Sequence, residues 1–253
     1  MILIGQYDSP FVRRVAVALQ LYGVAYEHRP WSTFGDGDRI AAFNPLRRVP
    51  TLVPDDGEAL IESGAILDWL DEQAGESRAL MPRSGVARRQ GLKLCALATG
   101  LGDKAVSLVY ERVLHEAMSP VWQARCETQI GAVLDALQRD RAGRPTPYWF
   151  GDAIGHGDIA VACVLRFLFE AHPGLLDAAR WPALAAHAAR CERLPAFQAV
   201  VHCVSVASEW SSDPTTQRTA SNRPVASHNL PSSNRVHAMI AARDASCAAS
   251  FLY

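Results

Sequence analysis

Ser9-Pro10-Phe11-Val12 is the first stretch of the sequence whose residue types could do chemistry. A thiol–disulfide enzyme needs two cysteines three positions apart at the start of a helix. Ser9 and Val12 occupy those positions here, which excludes disulfide exchange at this site. Ser9 before Pro10 predicts a helix N-cap. The hydroxyl and the free N–H groups of that helix start could also stabilise an anion on a ligand, so both roles stay open.

A second candidate site is Arg48-Val49-Pro50, which leads from a loop into a strand. A cis bond before Pro50 would turn the Val49 backbone toward an incoming peptide, which could pair with it as an extra strand. Arg48 could meet a carboxylate. Only about 5–6 % of X–Pro bonds are cis, so the residues alone favour trans and an ordinary edge-strand proline.

Glu62-Ser63 is the third candidate, at a predicted junction of strand and helix. Ser63 is predicted to be the helix N-cap, with free N–H groups nearby that could hold a carboxylate. Glu62 could pair with an ammonium group. A capping role alone would also explain the motif.

The elements that must position these residues alternate between strand and helix. Gly23 closes the helix that begins at Pro10, and Asp55-Asp56-Gly57 is a hairpin signal. The first strand, helix and strand imply a parallel pair, and the hairpin adds antiparallel strands. This pattern predicts a thioredoxin-like α/β domain over residues 1–75, with strands near 2–6, 26–30, 51–53 and 59–61 and helices near 10–22, 37–43 and 63–75.

Beyond a predicted linker over 76–84, strand signals nearly vanish. Helical periodicity predicts helices near 86–116, 119–141, 156–171 and 182–193, and therefore an all-helical domain over 85–210. From 211 to 253 the chain is rich in Ser, Thr, Asn and Pro. Because such a segment buries little apolar surface, a mostly disordered tail is predicted there.

Composition excludes several classes of function. The net charge is -1, and residues 1–75 carry six arginines against eleven acidic residues, so neither nucleic acid nor a membrane surface is indicated as a partner. The sequence shows neither a spanning apolar run nor the order of a signal peptide. The six cysteines form no C-x-x-C pair, and the histidines have no metal-ligand spacing. These features predict a cytoplasmic protein with reduced thiols and no metal.

Taken together, the three motifs resemble the N-terminal domain of glutathione S-transferases. The stretches that match in order and spacing are 9–15, 44–52 and 62–66, and the resemblance continues in Gly155-His156-Gly157-Asp158-Ile159, up to about residue 208. The resemblance implies the glutathione S-transferase fold, with a thioredoxin-like domain followed by an all-helical one. It also implies glutathione as co-substrate.

The resemblance further implies a role for each motif residue. Ser9 would stabilise the glutathione thiolate, as in the serine-type, zeta-like and theta-like bacterial branch, with Tyr7 as the alternative because some branches use a tyrosine near the first strand. Pro50 would be cis. The remaining implied glutathione contacts are Val49 with the cysteinyl unit, Glu62 and Ser63 with the γ-glutamyl end, Arg48 with the glycyl carboxylate, and Phe11 in the same site.

The sequence of the helical domain contains no motif that identifies the residues of the electrophile pocket. Gly155 stands where the family often has Ser or Thr, but Asp158 can still cap the helix, so Asp158 is interpreted as structural and His156 as a solvated first-turn residue. An apolar electrophile pocket could be lined by Phe11, Phe34, Tyr110, Trp122 and Phe167, although aromatic residues are more often plain core.

The predicted function is conjugation of glutathione to a small apolar electrophile by a homodimeric detoxification enzyme. Two alternatives stay open: a glutathione-dependent isomerase or dehalogenase using the same site, and a non-catalytic glutathione-binding protein of this fold.

Overall fold

A computed structural model of the chain describes residues 1–201. The predicted tail over 211–253 lies outside the described residues. The first seven elements are β1 (Ile2–Ile4), α1 (Pro10–Tyr22), β2 (Glu27–Arg29), α2 (Gly37–Ala41), β3 (Thr51–Val53), β4 (Leu60–Ile61) and α3 (Ser63–Ala74). They follow the predicted order. β3 has the predicted bounds, while β1, β2 and β4 are shorter than predicted.

The four strands form one mixed sheet in the order β2-β1-β3-β4. β1 pairs in parallel with β2, while β1 with β3 and β3 with β4 are antiparallel. This is the predicted thioredoxin-like arrangement. It places the end of β1, the start of α1 and the start of β3 side by side, which brings the first two sequence motifs together.

Five helices follow and confirm the all-helical second domain: α4 (Gly85–Leu114), α5 (Pro120–Ala142), α6 (His156–Ala171), α7 (Pro182–Glu192) and α8 (Pro195–Gln198). The short α8 was not predicted, because four residues are too few to show helical periodicity. None of the helices within residues 1–201 is long and apolar enough to span a membrane.

The central helix α6 begins with the predicted capping arrangement. The Asp158 carboxylate accepts the backbone N–H of Gly155 at 2.9 Å and that of Trp149 at 2.9 Å. Burial raises the pKa of Asp158, and these two N–H donors oppose that shift. The contacts agree with a structural role for Asp158.

The two domains share a hydrophobic core. Val15 and Leu19 of α1 lie in the same buried cluster as Ile159 and Cys163 of α6 and Phe197 of α8. Because α1 is packed between the sheet and α6, its N-terminus is held firmly beside the helical domain.

Candidate functional site

Ser9 occupies the N-cap position of α1, as predicted. Its Oγ accepts the backbone N–H of Val12 at a long 3.4 Å. Since the oxygen acts as acceptor in this contact, the hydroxyl proton is available for a second group. Ser9 can therefore cap the helix and donate to an anion at the same time.

Gly5 joins the Ser9 loop to the loop before β3. A Cβ at this position would lie 2.5 Å from Cγ2 of Val12 and 2.8 Å from Cβ of Val49, and its φ is 127°. Only glycine allows both the conformation and the close approach. The side chains of Val12, at the start of α1, and of Val49, before β3, thus both lie against Gly5.

The Val49–Pro50 bond is cis, as the family resemblance implied and against the general preference for trans. The buried Asn44 amide braces the preceding loop by donating to the carbonyl of Arg48 at 2.9 Å and to Oγ1 of Thr51 at 3.2 Å. The backbone of Val49 is therefore fixed in place before any ligand arrives.

The third motif, Glu62-Ser63, lies at the predicted junction of strand and helix, but the predicted N-cap residue is wrong. The N-cap of α3 is Glu62, whereas Ser63, predicted to be the cap, is the first helical residue and is buried. Glu62 has a φ of 71°, rare for a residue with a side chain, and its carboxylate accepts a long 3.4 Å bond from the Ser63 hydroxyl. The positive φ ends the strand abruptly and leaves the first N–H groups of α3 without a side-chain cap.

Glu62 interacts electrostatically with charged residues from other parts of the chain. Burial raises the pKa of Asp103 in α4, the Arg48 guanidinium lowers it and the Glu62 carboxylate raises it. Arg14 of α1 is buried and its Nε has no hydrogen-bond partner within residues 1–201. Burial lowers the pKa of Arg14, and the Glu62 carboxylate opposes that shift. Arg48 and Glu62 were predicted site residues; both interact with Asp103, and Glu62 also interacts with Arg14, so the site holds charges of both signs.

The Tyr7 side chain contacts Tyr26 and His28. Its hydroxyl lies 2.7 Å from the hydroxyl of Tyr26, and its ring stacks on His28 with 3.9 Å between centroids. Burial, reinforced by the Tyr26 hydrogen bond, raises the pKa of Tyr7 above its ordinary value. The Tyr7 hydroxyl therefore already has a hydrogen-bond partner within the N-terminal domain.

Comparisons with known proteins identify the family. The family model for the glutathione S-transferase N-terminal domain matches residues 3–78, and that for the C-terminal domain matches residues 120–190. Glutathione transferase GST 23 of Zea mays is 30% identical over 171 residues, covering 66% of this chain and 71% of its own length. The chain belongs to the glutathione S-transferase superfamily.

Solved structures support the membership. A glutathione S-transferase from Methylobacterium radiotolerans, crystallised with glutathione sulfonate, has a TM-score of 0.74 and 28% identity, covering 88% of this chain and 99% of its own. A maleyl pyruvate isomerase, described as a bacterial glutathione S-transferase of the Zeta class, has a TM-score of 0.69 and 28% identity, covering 79% of this chain and 96% of its own.

The aromatic residues suggested for an electrophile pocket separate into different environments in this glutathione S-transferase family member. Phe34 and Tyr110 meet edge to face across the two domains with 5.1 Å between centroids, and both are partly exposed. The Phe11 ring lies against Gly102 of α4. Trp122 donates its indole N–H to Oγ of Ser107. Phe167 is buried in the core, so the structure does not bring it to an open cleft.

His156 corrects one sequence interpretation. It was expected to be solvated, but it is only 3 % exposed and its Nε2 lies 3.0 Å from Oδ1 of Asp71 in α3. The same carboxylate oxygen accepts the Tyr22 hydroxyl and the backbone N–H of Leu80. His156 thus ties the first turn of α6 to the N-terminal domain.

Sequence reasoning missed Gly5, Asn44, Asp103 and Arg14. Gly5 lies at the end of an apolar run, and Asn44 lies only four and seven positions from its partners Arg48 and Thr51, so both were within reach of local reasoning. Asp103 and Arg14 interact with the site residues only through contacts between distant segments. Within the described range, no three His, Cys, Asp or Glu side chains are arranged to hold a metal ion.

Proposed function

We propose that the protein is a glutathione transferase of the serine-type branch that joins the glutathione thiolate to a small apolar electrophile. The observation that carries the proposal is Ser9, whose hydroxyl caps α1 beside the cis Val49–Pro50 bond, with Gly5 packed between the two loops. Glutathione sulfonate bound to the Methylobacterium radiotolerans relative supports the choice of ligand.

Each part of the site would hold a different part of glutathione. The backbone of Val49, held by the Asn44 hydrogen bonds to Arg48 and Thr51 on either side, would pair with the cysteinyl unit as a short strand. The uncapped N-terminus of α3 at Ser63 would receive the γ-glutamyl carboxylate, and Glu62 its ammonium group. Arg48, which is exposed, would reach the glycyl carboxylate.

Catalysis would follow from stabilising the thiolate and holding the partners together. The thiol proton leaves to solvent, and the Ser9 hydroxyl donates a hydrogen bond to the sulfur anion. A hydrogen bond to a charged group contributes about 1.5–3 kcal/mol, which lowers the thiol pKa by roughly 1–2 units. The thiolate then forms a C–S bond to the electrophile, which releases a leaving group or gains a proton. Phe11, Phe34 and Tyr110 are the proposed apolar wall for that partner.

A glutathione-dependent isomerase is the second candidate. It is favoured by the similarity to the maleyl pyruvate isomerase and would use the same thiolate, adding it to a double bond and then releasing it. The fate of glutathione distinguishes the two activities: conjugation consumes it, while isomerisation returns it.

The test is a glutathione-affinity pull-down followed by a thiol-conjugation assay on a panel of halogenated aromatic, epoxide and unsaturated carbonyl electrophiles. Binding with loss of free thiol supports the transferase. Product formation without thiol consumption transfers the assignment to the isomerase. Binding without any turnover makes the chain a glutathione-binding protein of this fold, and failure to bind overturns the proposal.

We also propose a cytoplasmic homodimer. Residues 1–75 are acidic while the helical segment is slightly basic, which suits a two-fold pairing of one subunit's first domain with the other's second. Light scattering at micromolar concentration should give twice the mass of the 27.5 kDa chain. A monomer mass would contradict it.

A further inference from the structure

The helical domain contains a cavity that the proposed glutathione site does not use. It has a volume of about 200 Å³ and lies between the end of α4, the start of α5 and the segment after α6. Leu108 and Arg112, which line it, are each two positions from Tyr110 in the helix. Two positions correspond to roughly 200° around a helix, so the cavity faces away from the Phe34–Tyr110 pair.

One side of the cavity presents a cation. Arg112 is exposed, and its two terminal nitrogens donate to the carbonyl of Ala171, each at a long 3.4 Å. Among residues 1–201 it forms no ion pair. Since a guanidinium has five N–H donors in a planar fork, most of its capacity is left for a ligand carboxylate.

Glu127 and His172 add acceptors to the lining, and the amide of Gln123, which also lines the cavity, already donates to Glu127. Glu127 receives the Gln123 amide on Oε1 at 2.8 Å, which leaves its second oxygen for another donor. His172 is 8 % exposed, and its Nε2 lies 2.9 Å from the Ala105 carbonyl. A carbonyl only accepts, so Nε2 carries the proton and Nδ1 holds a lone pair. Burial lowers the pKa of His172, which keeps the ring neutral.

Apolar side chains complete the lining. Leu108 is buried, and Met118 and Leu175 pack against the same core cluster. The cavity therefore combines a guanidinium, a carboxylate with a neutral imidazole, and an apolar floor within one small volume. A ligand that satisfies all three must carry both charges and a short apolar body.

We propose that this cavity binds a free α-amino acid with an apolar side chain. Its carboxylate would take the fork of Arg112, and its ammonium group would donate to Glu127 and to Nδ1 of His172. The side chain would lie on Leu108 and Met118. This site is separate from the glutathione site, and occupancy would stiffen the junction of α4, α5 and the segment after α6.

The test is calorimetric titration of the full-length protein with L-leucine. One leucine per chain is expected, with affinity unchanged by saturating glutathione. Arg112→Gln and Glu127→Gln should each weaken binding by about ten-fold or more, because each removes a charge-assisted bond. Arg125→Gln is the matched control: Arg125 is exposed on α5, two positions from Glu127 and so on the opposite face of that helix.

Three analogues test the ligand class. Isocaproate lacks the ammonium group of leucine, isoamylamine lacks the carboxylate and glycine lacks the side chain, so all three should bind much more weakly. The proposal is overturned if leucine does not bind, if glutathione displaces it, if isocaproate or isoamylamine binds as tightly, or if Arg112→Gln leaves the affinity unchanged while its melting temperature matches the wild type.

Discussion

Arg13 of α1 and Glu192 of α7 form a two-pronged ion pair, with N···O distances of 2.6 and 2.7 Å. The Arg13 side chain is 4% exposed, and its Nε also donates to the Val200 carbonyl at 3.0 Å. Glu192 accepts in addition from Arg166 at 3.3 Å. This cluster connects the first helix of the thioredoxin-like domain to the end of the helical one.

Arg13→Met should destabilise the protein by about 3 kcal/mol, because it leaves a partly buried carboxylate without its main partner. Urea unfolding measures the loss, and a double-mutant cycle with Glu192→Gln should show coupling of more than about 1 kcal/mol. The comparison is Arg88→Met, which breaks an exposed pair with Asp68 and should cost less than about 1 kcal/mol. Equal losses of unfolding free energy in both variants would contradict the role of Arg13 in connecting α1 to the helical domain.

The Asp71 cluster should make stability depend on acid pH. Burial alone would raise the pKa of Asp71, but hydrogen bonds from His156, Tyr22 and the Leu80 backbone bring it below its ordinary value. A depressed pKa adds stability that is complete above the unfolded value of about 3.9 and is lost as the pH falls through the lower folded value.

Unfolding free energies measured at intervals from neutral to acid pH should therefore fall at the acid end, and Asp71→Asn should reduce that slope. Asp68→Asn, on the exposed side of the same helix, is the control. A slope unchanged in Asp71→Asn would show that the carboxylate titrates alike in the folded and unfolded chain.

Most of the fold could be predicted from local sequence signals. Ser9-Pro10 and Gly23 bound α1 because caps act on adjacent backbone groups, and Gly155 with Asp158 marks the start of α6 in the same way. The cis state of Pro50 came only from the family resemblance, since nothing in the dipeptide favours it.

The predictions that were wrong or missing concern contacts between distant residues or an unusual backbone conformation. The pairing of His156 with Asp71 spans 85 positions, so a first-turn histidine looked solvated. The positive φ of Glu62 moved the α3 cap by one residue, which no propensity indicates. Asp103 shows the same limit: it joins the charges around the candidate site only because α4 folds back on the first domain.

Ser9→Ala should raise the pKa of bound glutathione by roughly 1–2 units and lower turnover at neutral pH, since a donor to the thiolate is removed. Thiolate absorbance during titration follows this pKa. Tyr7→Phe should leave the value unchanged, because the Tyr7 hydroxyl bonds to Tyr26. The reverse result, with Tyr7→Phe raising the pKa and Ser9→Ala silent, would move the thiolate role to Tyr7.

Gly5→Ala should destabilise the fold by about 3 kcal/mol or more, because a Cβ would clash with Val12 and Val49 in a backbone conformation that alanine rarely adopts. Gly131→Ala is the opposite control. Gly131 lies inside α5 with open space around its would-be Cβ, so alanine there should stabilise by up to about 1 kcal/mol. Melting curves of the two variants should shift in opposite directions, and a Gly5→Ala variant as stable as the wild type would contradict the close approach.

Arg14→Met should preserve or raise the stability of the fold while it weakens glutathione binding. The guanidinium is buried, and its Nε has no hydrogen-bond partner within residues 1–201, so a flexible apolar side chain should leave the fold equally stable or more stable by about 1–4 kcal/mol. The same cation interacts electrostatically with Glu62, the proposed partner of the γ-glutamyl ammonium group.

Removal of the Arg14 guanidinium should therefore weaken glutathione binding several-fold, because the positive field at the anion-binding end of α3 is reduced. Calorimetry and urea unfolding on the same variant provide both numbers, and Arg14→Lys, which keeps the charge, should recover part of the affinity. A variant that loses stability and affinity together would instead make Arg14 an ordinary packing residue, since disturbed packing around α1 would affect the fold and the glutathione site alike.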